Sequence, residues 1–198
     1  NDMRFLMRRA EALLMLGRDE TAAKSLSPAM VGGADPALRK MASDVYLSAG
    51  ARRERSKDWR RAEQLLRKAI ETNNQNAPAL NYLGYMFGDR GDRLDEAVSL
   101  IRRALEQEPD NGAYLDSLGW VHFRRKEFDK AEASLLKALK LLENEPAVHQ
   151  HLGAVYLATG RPGLAIDFLQ KALNGGTDDP DGIRALLSTA RKAAGKVP

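Results

Sequence analysis

The sequence contains no cysteine among its 198 residues. Disulfides, thiolate metal ligands and cysteine nucleophiles are therefore excluded, and a chain without thiols is compatible with reducing and oxidising compartments alike. No apolar run approaches the roughly 20 residues that a membrane-spanning helix needs, and the N-terminus shows no signal-peptide pattern. Because the chain begins with Asn rather than Met, we expect it to be a piece of a longer or processed protein.

A strong charge bias is also missing. The chain carries 31 Lys and Arg against 27 Asp and Glu, a net charge of +4, which is a milder bias than a nucleic-acid-binding signature. One basic segment nevertheless stands out, and its plainest interpretation is a solvated helix face interrupted by Glu54 and Asp58. The alternatives are a docking patch for an acidic protein surface, or a site for nucleic acid or phospholipid. The basic segment consists of Arg52, Arg53, Arg55, Lys57, Arg60 and Arg61.

What the sequence does contain is a repeat. Ala, Leu, Arg and Glu dominate and runs of β-branched residues are almost absent, so the intrinsic preference is helical throughout. Three segments align along their length: "LGYMFGDRGDRLDEA", "LGWVHFRRKEFDKAEA" and "LGAVYLATGRPGLAIDF". Gly119 and Gly153 are 34 positions apart, as are Ala131 and Ala165. Extended toward the N-terminus, the same register predicts five units.

The second unit departs from this spacing. Ser43 and Ala62 are 19 positions apart, whereas Gly119 and Ala131 are 12 positions apart. We place the insertion around "ARRERSKD", between the two helices of the unit. Gly50 is interpreted as a helix stop.

The repeated pattern resembles the tetratricopeptide repeat family, whose units of about 34 residues carry Leu-Gly, Tyr, Ala, a large apolar residue, Ala and Pro. The resemblance covers nearly the whole chain, although His122 stands where Tyr is usual. It implies an all-α fold, a right-handed superhelical solenoid of five helix pairs. Residues 180–194 are predicted to form a C-terminal capping helix, because one side of that helix is apolar and the other is polar. The predicted units of this single array, residues 1–198, span about residues 3–35, 36–76, 77–111, 112–145 and 146–179.

The resemblance also implies a binding surface, because the first helix of each unit lines a concave groove in this family. By the register, Tyr85, Trp120 and Phe123 are the expected anchors of a bound partner. The predicted function is a non-enzymatic scaffold or adaptor that holds a peptide segment or helix of a partner protein in this groove. The predicted groove residues are Lys40, Asp44, Asn81, Tyr85, Asp89, Asp116, Trp120, Phe123, Arg124 and Gln150.

No catalytic motif is present in the sequence: there is no Gly-rich phosphate loop and no serine elbow. His149 and His151 are two positions apart on a helix and therefore point in different directions, and His122 is remote in sequence. We expect no metal site, no cofactor and no enzymatic activity. We expect His122 to fill a Tyr-like slot between helices, and the other two histidines to lie on the surface or in the groove.

The first helix suggests a second function, because its apolar residues lie on more than one face. We expect further repeats or another subunit to cover them, so that self-assembly through this helix is an alternative to partner binding. A third alternative is nucleic-acid binding through the basic segment. The apolar residues of the first helix are Met3, Phe5, Leu6, Met7, Leu14 and Met15.

A narrower resemblance concerns "LGYMFGDRGDRLDEA" followed by "DNGAYLDSLGWVHFR". These segments are similar to repeat units of long bacterial envelope lipoproteins, some of which tether and activate carboxyl-terminal processing proteases. The resemblance implies a protease-adaptor version of the scaffold function. It favours the bacterial periplasm or envelope over the cytoplasm.

Overall fold

The computed structural model describes residues 3–26 and 35–195, with side chains from residue 5 onward. This part of the chain consists of eleven α-helices and contains no strand, which confirms the predicted all-α fold. The helices are α1 (Met3–Met15), α2 (Asp19–Leu26), α3 (Pro36–Arg55), α4 (Trp59–Thr72), α5 (Ala77–Arg90), α6 (Leu94–Gln107), α7 (Gly112–Arg124), α8 (Phe128–Leu141), α9 (Pro146–Ala158), α10 (Pro162–Asn174) and α11 (Pro180–Ala194).

The chain divides into two compact units, Asn1–Leu83 and Gly84–Pro198, and the division falls inside α5. In the first unit, side chains of α1 to α4 form a core around Leu26, Leu38 and Val45. In the second unit, α7 to α11 share a core in which Leu135 and Leu152 are fully buried. The repeat boundaries stay a prediction, and residues 27–34 of the first predicted repeat lie outside the described residues.

Small residues allow the two helices of a pair to approach closely. A Cβ added at Gly119 in α7 would lie 2.5 Å from Cγ of Leu135 in α8. A Cβ added at Gly153 in α9 would lie 2.6 Å from Cγ of Leu169 in α10. Glycine in mid-helix costs roughly 1 kcal/mol relative to alanine, so its recurrence is explained by the space that the facing leucine needs.

The same contact shows that the predicted register of the second repeat was wrong. Gly50 does not stop a helix but lies inside α3, where an added Cβ would meet Leu66 Cγ at 2.8 Å. Gly50 precedes Ala62 by the normal 12 positions, so Gly50 and not Ser43 occupies the Leu-Gly position. The extra residues extend the beginning of α3, which has 20 residues against 13 in α7. The buried Ser43 hydroxyl donates to the Ala69 carbonyl oxygen at 2.8 Å.

Capping side chains mark the starts of α3 and α11. α3 and α11 begin at Pro36 and Pro180, whose missing N–H groups are no loss in a first turn. Directly before each proline, a carboxylate accepts a hydrogen bond from the first turn: Asp35 from a backbone N–H at 2.8 Å, and Asp179 from one at 2.9 Å. Such caps contribute about 1 kcal/mol each.

The turn after α7 carries a strained residue. Lys126 has φ 62°, while Gly160 has φ 72° at the corresponding position 34 residues later. The backbone N–H of Glu127 donates to the His122 carbonyl at 2.9 Å and that of Lys126 to the Phe123 carbonyl at 2.8 Å, which defines a Schellman ending in which glycine is preferred.

Replacing Lys126 with Gly should therefore raise the free energy of unfolding by about 0.5–1 kcal/mol, because glycine adopts this backbone conformation without a Cβ clash. Urea unfolding followed by circular dichroism measures the change. Lys126→Ala is the control, since alanine keeps the clash and should give no gain. A Lys126→Gly variant no more stable than Lys126→Ala would contradict this account of the turn.

The two ends of the described chain differ in how they expose apolar side chains. α11 buries Ile183, Leu187 and Ala190 against α9 and α10. At the other end, Phe5 in α1 is 62% exposed, and Met15 is 89% exposed. The predicted contribution of the Met3 side chain lies outside the described residues. In the part of the chain that the structure describes, no helix is both long enough and apolar enough to traverse a bilayer.

Candidate partner-binding surface

A stack of rings connects α7 to α9. The Trp120 ring lies nearly parallel to the Phe123 ring, with centroids 5.0 Å apart, and to the His151 ring, with centroids 4.4 Å apart. Phe123 in turn contacts Phe128 at the start of α8, at a centroid distance of 5.9 Å. Trp120 and Phe123 are both partly exposed, and the buried indole Nε1–H of Trp120 donates to no described residue.

A buried hydrogen bond holds this stack in place. His151 Nδ1 lies 2.8 Å from Asp116 Oδ1, and both side chains are buried. The bond joins α7 to α9 directly beside the ring of Trp120. Asp116, predicted as a groove residue, is buried and has a positioning role toward His151. The sequence interpretation missed His151 as its partner, although a separation of 35 positions, about one repeat, was a usable signal.

Arg124 completes the arrangement at the end of α7. Its guanidinium group lies 5.8 Å from the centroid of the Trp120 ring, and Nη1 donates to the backbone carbonyl oxygen of Asp89. Gly91 has φ 74°, and a Cβ there would meet Arg124 Nη2 at 2.5 Å, so the turn after α5 leaves room for this arginine. These contacts, together with the link from Asp116 through His151 to Trp120, bring five predicted groove residues of the second unit together. The five are Asp89, Asp116, Trp120, Phe123 and Arg124.

Tyr85 and Gln150, the remaining predicted residues of the second unit, have different surroundings. Tyr85 lies on α5 and is 36% exposed. Gln150 lines a cleft of about 210 Å³ between the start of α9 and the segment before α11, together with Pro146 and Thr177.

In the first unit, Lys40 and Asp44 line a cleft of about 330 Å³ between α1 and α3. The walls of this cleft are largely apolar and include Met7, Leu14 and Met41. Both residues were selected with a register that is wrong for this repeat. Once Gly50 is taken as the Leu-Gly position, Lys40 lies about two helical turns before the residue that corresponds to Asp116. Asp44 lies equally far before the residue that corresponds to Trp120, and both remain proposed groove residues.

Asn81 and Asn76 differ in their hydrogen-bond partners. The predicted groove residue Asn81 has a buried Oδ1 atom that accepts no hydrogen bond from any described residue. Asn76, which the sequence interpretation did not select, donates from Nδ2 to Ser43 Oγ at 2.7 Å and to Asp44 Oδ1 at 2.9 Å. Asn76 therefore fixes the Asp44 carboxylate in the first unit.

One of the three histidines lies where the sequence predicted it, and the other two are more buried than predicted. His122 does fill a slot between helices, where its Nδ1 lies 2.6 Å from Glu127 Oε2. His149 and His151 are buried, not exposed, and His149 packs against the Phe168 ring at 5.8 Å. The correction has a physical reason: short helices that contact neighbours on several sides bury residues of both faces. Among the described residues, no group of three or more His, Asp or Glu side chains is placed to hold a metal ion.

The slot of His122 is filled differently in the neighbouring repeats. Tyr156 occupies it 34 residues later, with the Arg161 guanidinium 4.5 Å from its ring centroid. At the corresponding positions of the fourth repeat, His122 and Glu127 replace this aromatic–arginine pair. Both members of the pair are exchanged together: His122 stands in place of the tyrosine and Glu127 in place of the arginine. A charge-assisted hydrogen bond therefore takes the place of a cation–π contact.

Burial lowers the pKa of His122 below its ordinary 6.5, against the opposing effect of the Glu127 hydrogen bond. Burial likewise lowers the pKa of His149. Below pH 6.5 the unfolded state therefore binds more protons than the folded state, and stability must fall as the pH decreases. The pKa of Glu127 is also lowered, mainly by its hydrogen bond with His122, which adds a loss as the pH falls below 4.5.

We expect the free energy of unfolding to decrease as the pH is lowered from 7 to 5, as measured by urea unfolding at each pH. His122→Phe is the control, since Phe87 holds the corresponding slot in the third repeat. The variant should show a shallower dependence on pH. A wild-type profile that is flat between pH 7 and pH 5 would contradict the assignment.

The basic segment is partly neutralised within the first unit. Arg52 pairs with Asp19 at 2.6 Å, and Arg53 and Arg61 pair with Glu20 at 2.9 and 3.4 Å. Both acidic residues belong to the first turn of α2. These pairs support the plainest interpretation of the segment, a solvated face with ion pairs to its neighbour helix.

Helix pairs built on a repeated glycine–leucine contact, with a ring stack on their first helices, define a helical-repeat protein. Residues 2–185 match the family model described as Tetratricopeptide repeat, and the chain belongs to the tetratricopeptide repeat family. Proteins of this family are protein–protein interaction scaffolds.

The chain is also similar to individual proteins, three of which are described by their identity and coverage. It is 41% identical over 97 residues to the TPR repeat-containing protein PA4667 of Pseudomonas aeruginosa, covering 48% of this chain and 16% of that protein. It is 27% identical over 146 residues to the type IV pilus assembly protein PilF of the same organism, covering 72% of this chain and 57% of PilF. The chain thus spans only part of each relative. The crystal structure of PilW, a type IV pilus biogenesis factor, has the same fold, with a TM-score of 0.70, 19% identity and coverage of 98% of this chain and 90% of PilW.

Proposed function

We propose that this chain is a non-enzymatic scaffold that binds a peptide segment or helix of a partner protein on the first helices of its repeats. The observation that carries the proposal is the partly exposed ring stack of Trp120 and Phe123, flanked by Arg124. Rings and arginines that are well packed at one end and accessible at the other are the residues that most often dominate protein interfaces.

The buried support of the stack strengthens the proposal. The hydrogen bond between Asp116 and His151 fixes one neighbour of the Trp120 ring before any partner arrives. A side chain that is already ordered loses less conformational entropy on binding, which leaves more of the contact energy for affinity.

Photo-crosslinking tests which face of the chain is occupied. A benzoylphenylalanine residue is placed at Tyr85, on the first-helix face, and in a separate variant at Leu164, which is 44% exposed on α10. We expect the variant at position 85 to form a crosslinked adduct with a partner protein in cells and the variant at position 164 to form none. Equal adducts from both positions would contradict the proposed surface.

We further propose that the scaffold acts in the bacterial envelope. Two similar proteins are named for type IV pilus assembly or biogenesis, and a segment of this sequence resembles envelope lipoproteins. Fractionation of cells that produce the full-length protein tests this location. Recovery in the cytoplasmic fraction alone would overturn it.

Self-association through α1 is a second candidate function, favoured by one observation. Phe5, Met15 and Leu16 are 62%, 89% and 71% exposed, a concentration of large apolar surface at one helix. Such patches commonly mark interfaces. Sedimentation equilibrium tests the candidate: wild type should associate at high concentration, and Phe5→Ser with Leu16→Ser should abolish the association. A wild-type monomer at every concentration would dispose of it.

A further inference from the structure

A second cleft in the second unit is lined by cations. It lies between α10 and α11 and has a volume of about 340 Å³. Arg184, Arg191 and Lys192 of α11 supply its charge, and Leu173 and Leu187 supply its apolar lining. None of the described residues that line it is acidic.

The repeat register distinguishes α11 from the first helices of the preceding repeats. Leu187 follows Gly153 by 34 positions and so occupies the position at which the preceding repeats place glycine. A Cβ at Gly153 would already meet Leu169 of α10 at 2.6 Å, so the larger side chain of Leu187 prevents an equally close second helix. Among the residues that the structure describes, no helix follows α11 to cover the cleft.

The charges of α11 are only partly balanced within the chain. Arg184 pairs with Asp181 at 2.7 Å, whereas Arg191 and Lys192 form no ion pair with any residue that the structure describes. Both lie in the last turn of α11, where the helix dipole tolerates cations. Their side chains are exposed and available to an anionic ligand.

We propose that the cleft between α10 and α11 binds an acidic amphipathic segment of a protein partner. The proposal rests on the proposed scaffold function in taking the ligand to be a protein. Carboxylates of the segment pair with Arg191 and Lys192, since a guanidinium group can hold a carboxylate by two parallel hydrogen bonds. Apolar side chains of the same segment lie against the partly exposed Leu173, a contact that a bare anion could not use.

A labelled peptide of alternating Glu and Leu tests the proposal by fluorescence anisotropy. We expect it to bind wild type and to lose at least about tenfold in affinity with Arg191→Glu and Lys192→Glu combined, because each attraction becomes a repulsion. A neutral pair, Arg191→Gln with Lys192→Gln, should give an intermediate loss. This second pair also guards against misfolding, since glutamine does not oppose the helix dipole.

The matched control reverses two exposed cations on α8, Lys137→Glu with Lys140→Glu. It makes the same change in net charge and should alter the affinity by less than about twofold. An equal loss in both charge-reversed variants would show general attraction to a basic protein and overturn the proposal. Tighter binding of a single-stranded DNA oligonucleotide than of the peptide would also overturn it.

Failure of the cleft proposal can be distinguished from failure of the proposed scaffold function. The peptide is titrated against the protein alone, whereas the crosslinks at position 85 report the first-helix face. If the protein does not bind the peptide but the crosslinks at position 85 are retained, only the proposal for the cleft is contradicted. A Trp120→Ala variant should bind the acidic peptide with unchanged affinity, and a large loss there would contradict a separate site.

Discussion

Replacing Gly119 with Val should lower the free energy of unfolding by about 3 kcal/mol. The added side chain has no room: its Cβ would lie 2.5 Å from Leu135 Cγ and 3.2 Å from the Ala131 carbonyl oxygen. Leu135 is fully buried, so it has no free space to move into, and the backbone of α8 must shift instead. The gain in helix propensity over glycine, well under 1 kcal/mol for valine, offsets only a small part of the loss.

Urea unfolding monitored by circular dichroism measures this effect, with Gly163→Val as the matched control. Gly163 also lies in a helix, but a Cβ there would have no heavy atom within 4 Å. The control should stay within about 0.5 kcal/mol of wild type. Equal stability of the two variants would mean that α7 and α8 are not held at the distance which the structure shows.

Removing both rings, Trp120→Ala with Phe123→Ala, should weaken partner binding by about 30-fold or more. Truncation of an interface anchor commonly costs 2 kcal/mol or more, which corresponds to about that factor. The loss has two sources: the apolar ring surface itself, and the support that the His151 ring and Arg124 receive from it. Isothermal titration with the crosslinked partner, once purified, measures the affinity.

Two further variants distinguish lost contact from lost structure. Leu136→Ala removes an apolar side chain that is 38% exposed on α8, outside the first helices, and should leave the affinity unchanged. Ala158 is exposed on α9 and lies 34 positions after Arg124, at the corresponding position of the next repeat. Ala158→Arg adds bulk there without removing any core side chain, and should weaken binding. Full affinity in Ala158→Arg, together with a melting temperature equal to that of wild type, would count against the groove.

The all-α fold and the close pairing of α7 with α8 and of α9 with α10 could be predicted because their signals are local. A glycine, an alanine 12 positions later and a large apolar residue 16 positions later fix one helix pair, as Gly119, Ala131 and Leu135 do. The recurrence of this spacing excludes chance. The core of a helix pair therefore follows from the sequence of that pair alone.

Other features depended on information that spacing does not carry. Gly50 is a residue type that both ends helices and permits close packing, and only the contact with Leu66 decides between the two roles. The bond from His151 to Asp116 joins different repeats, so neither residue signals it alone. The ion pairs of Arg52 and Arg53 with α2 likewise depend on which helices become neighbours.

The most direct test of the scaffold account uses Trp120 as its own reporter. The chain has two tryptophans, so Trp59→Phe leaves Trp120 as the single source of indole fluorescence. On addition of the purified partner, we predict that the Trp120 emission shifts to shorter wavelength and that acrylamide quenches it less, because the partner covers the ring. A partner that binds this variant with full affinity while both the emission and the quenching stay unchanged would contradict the account.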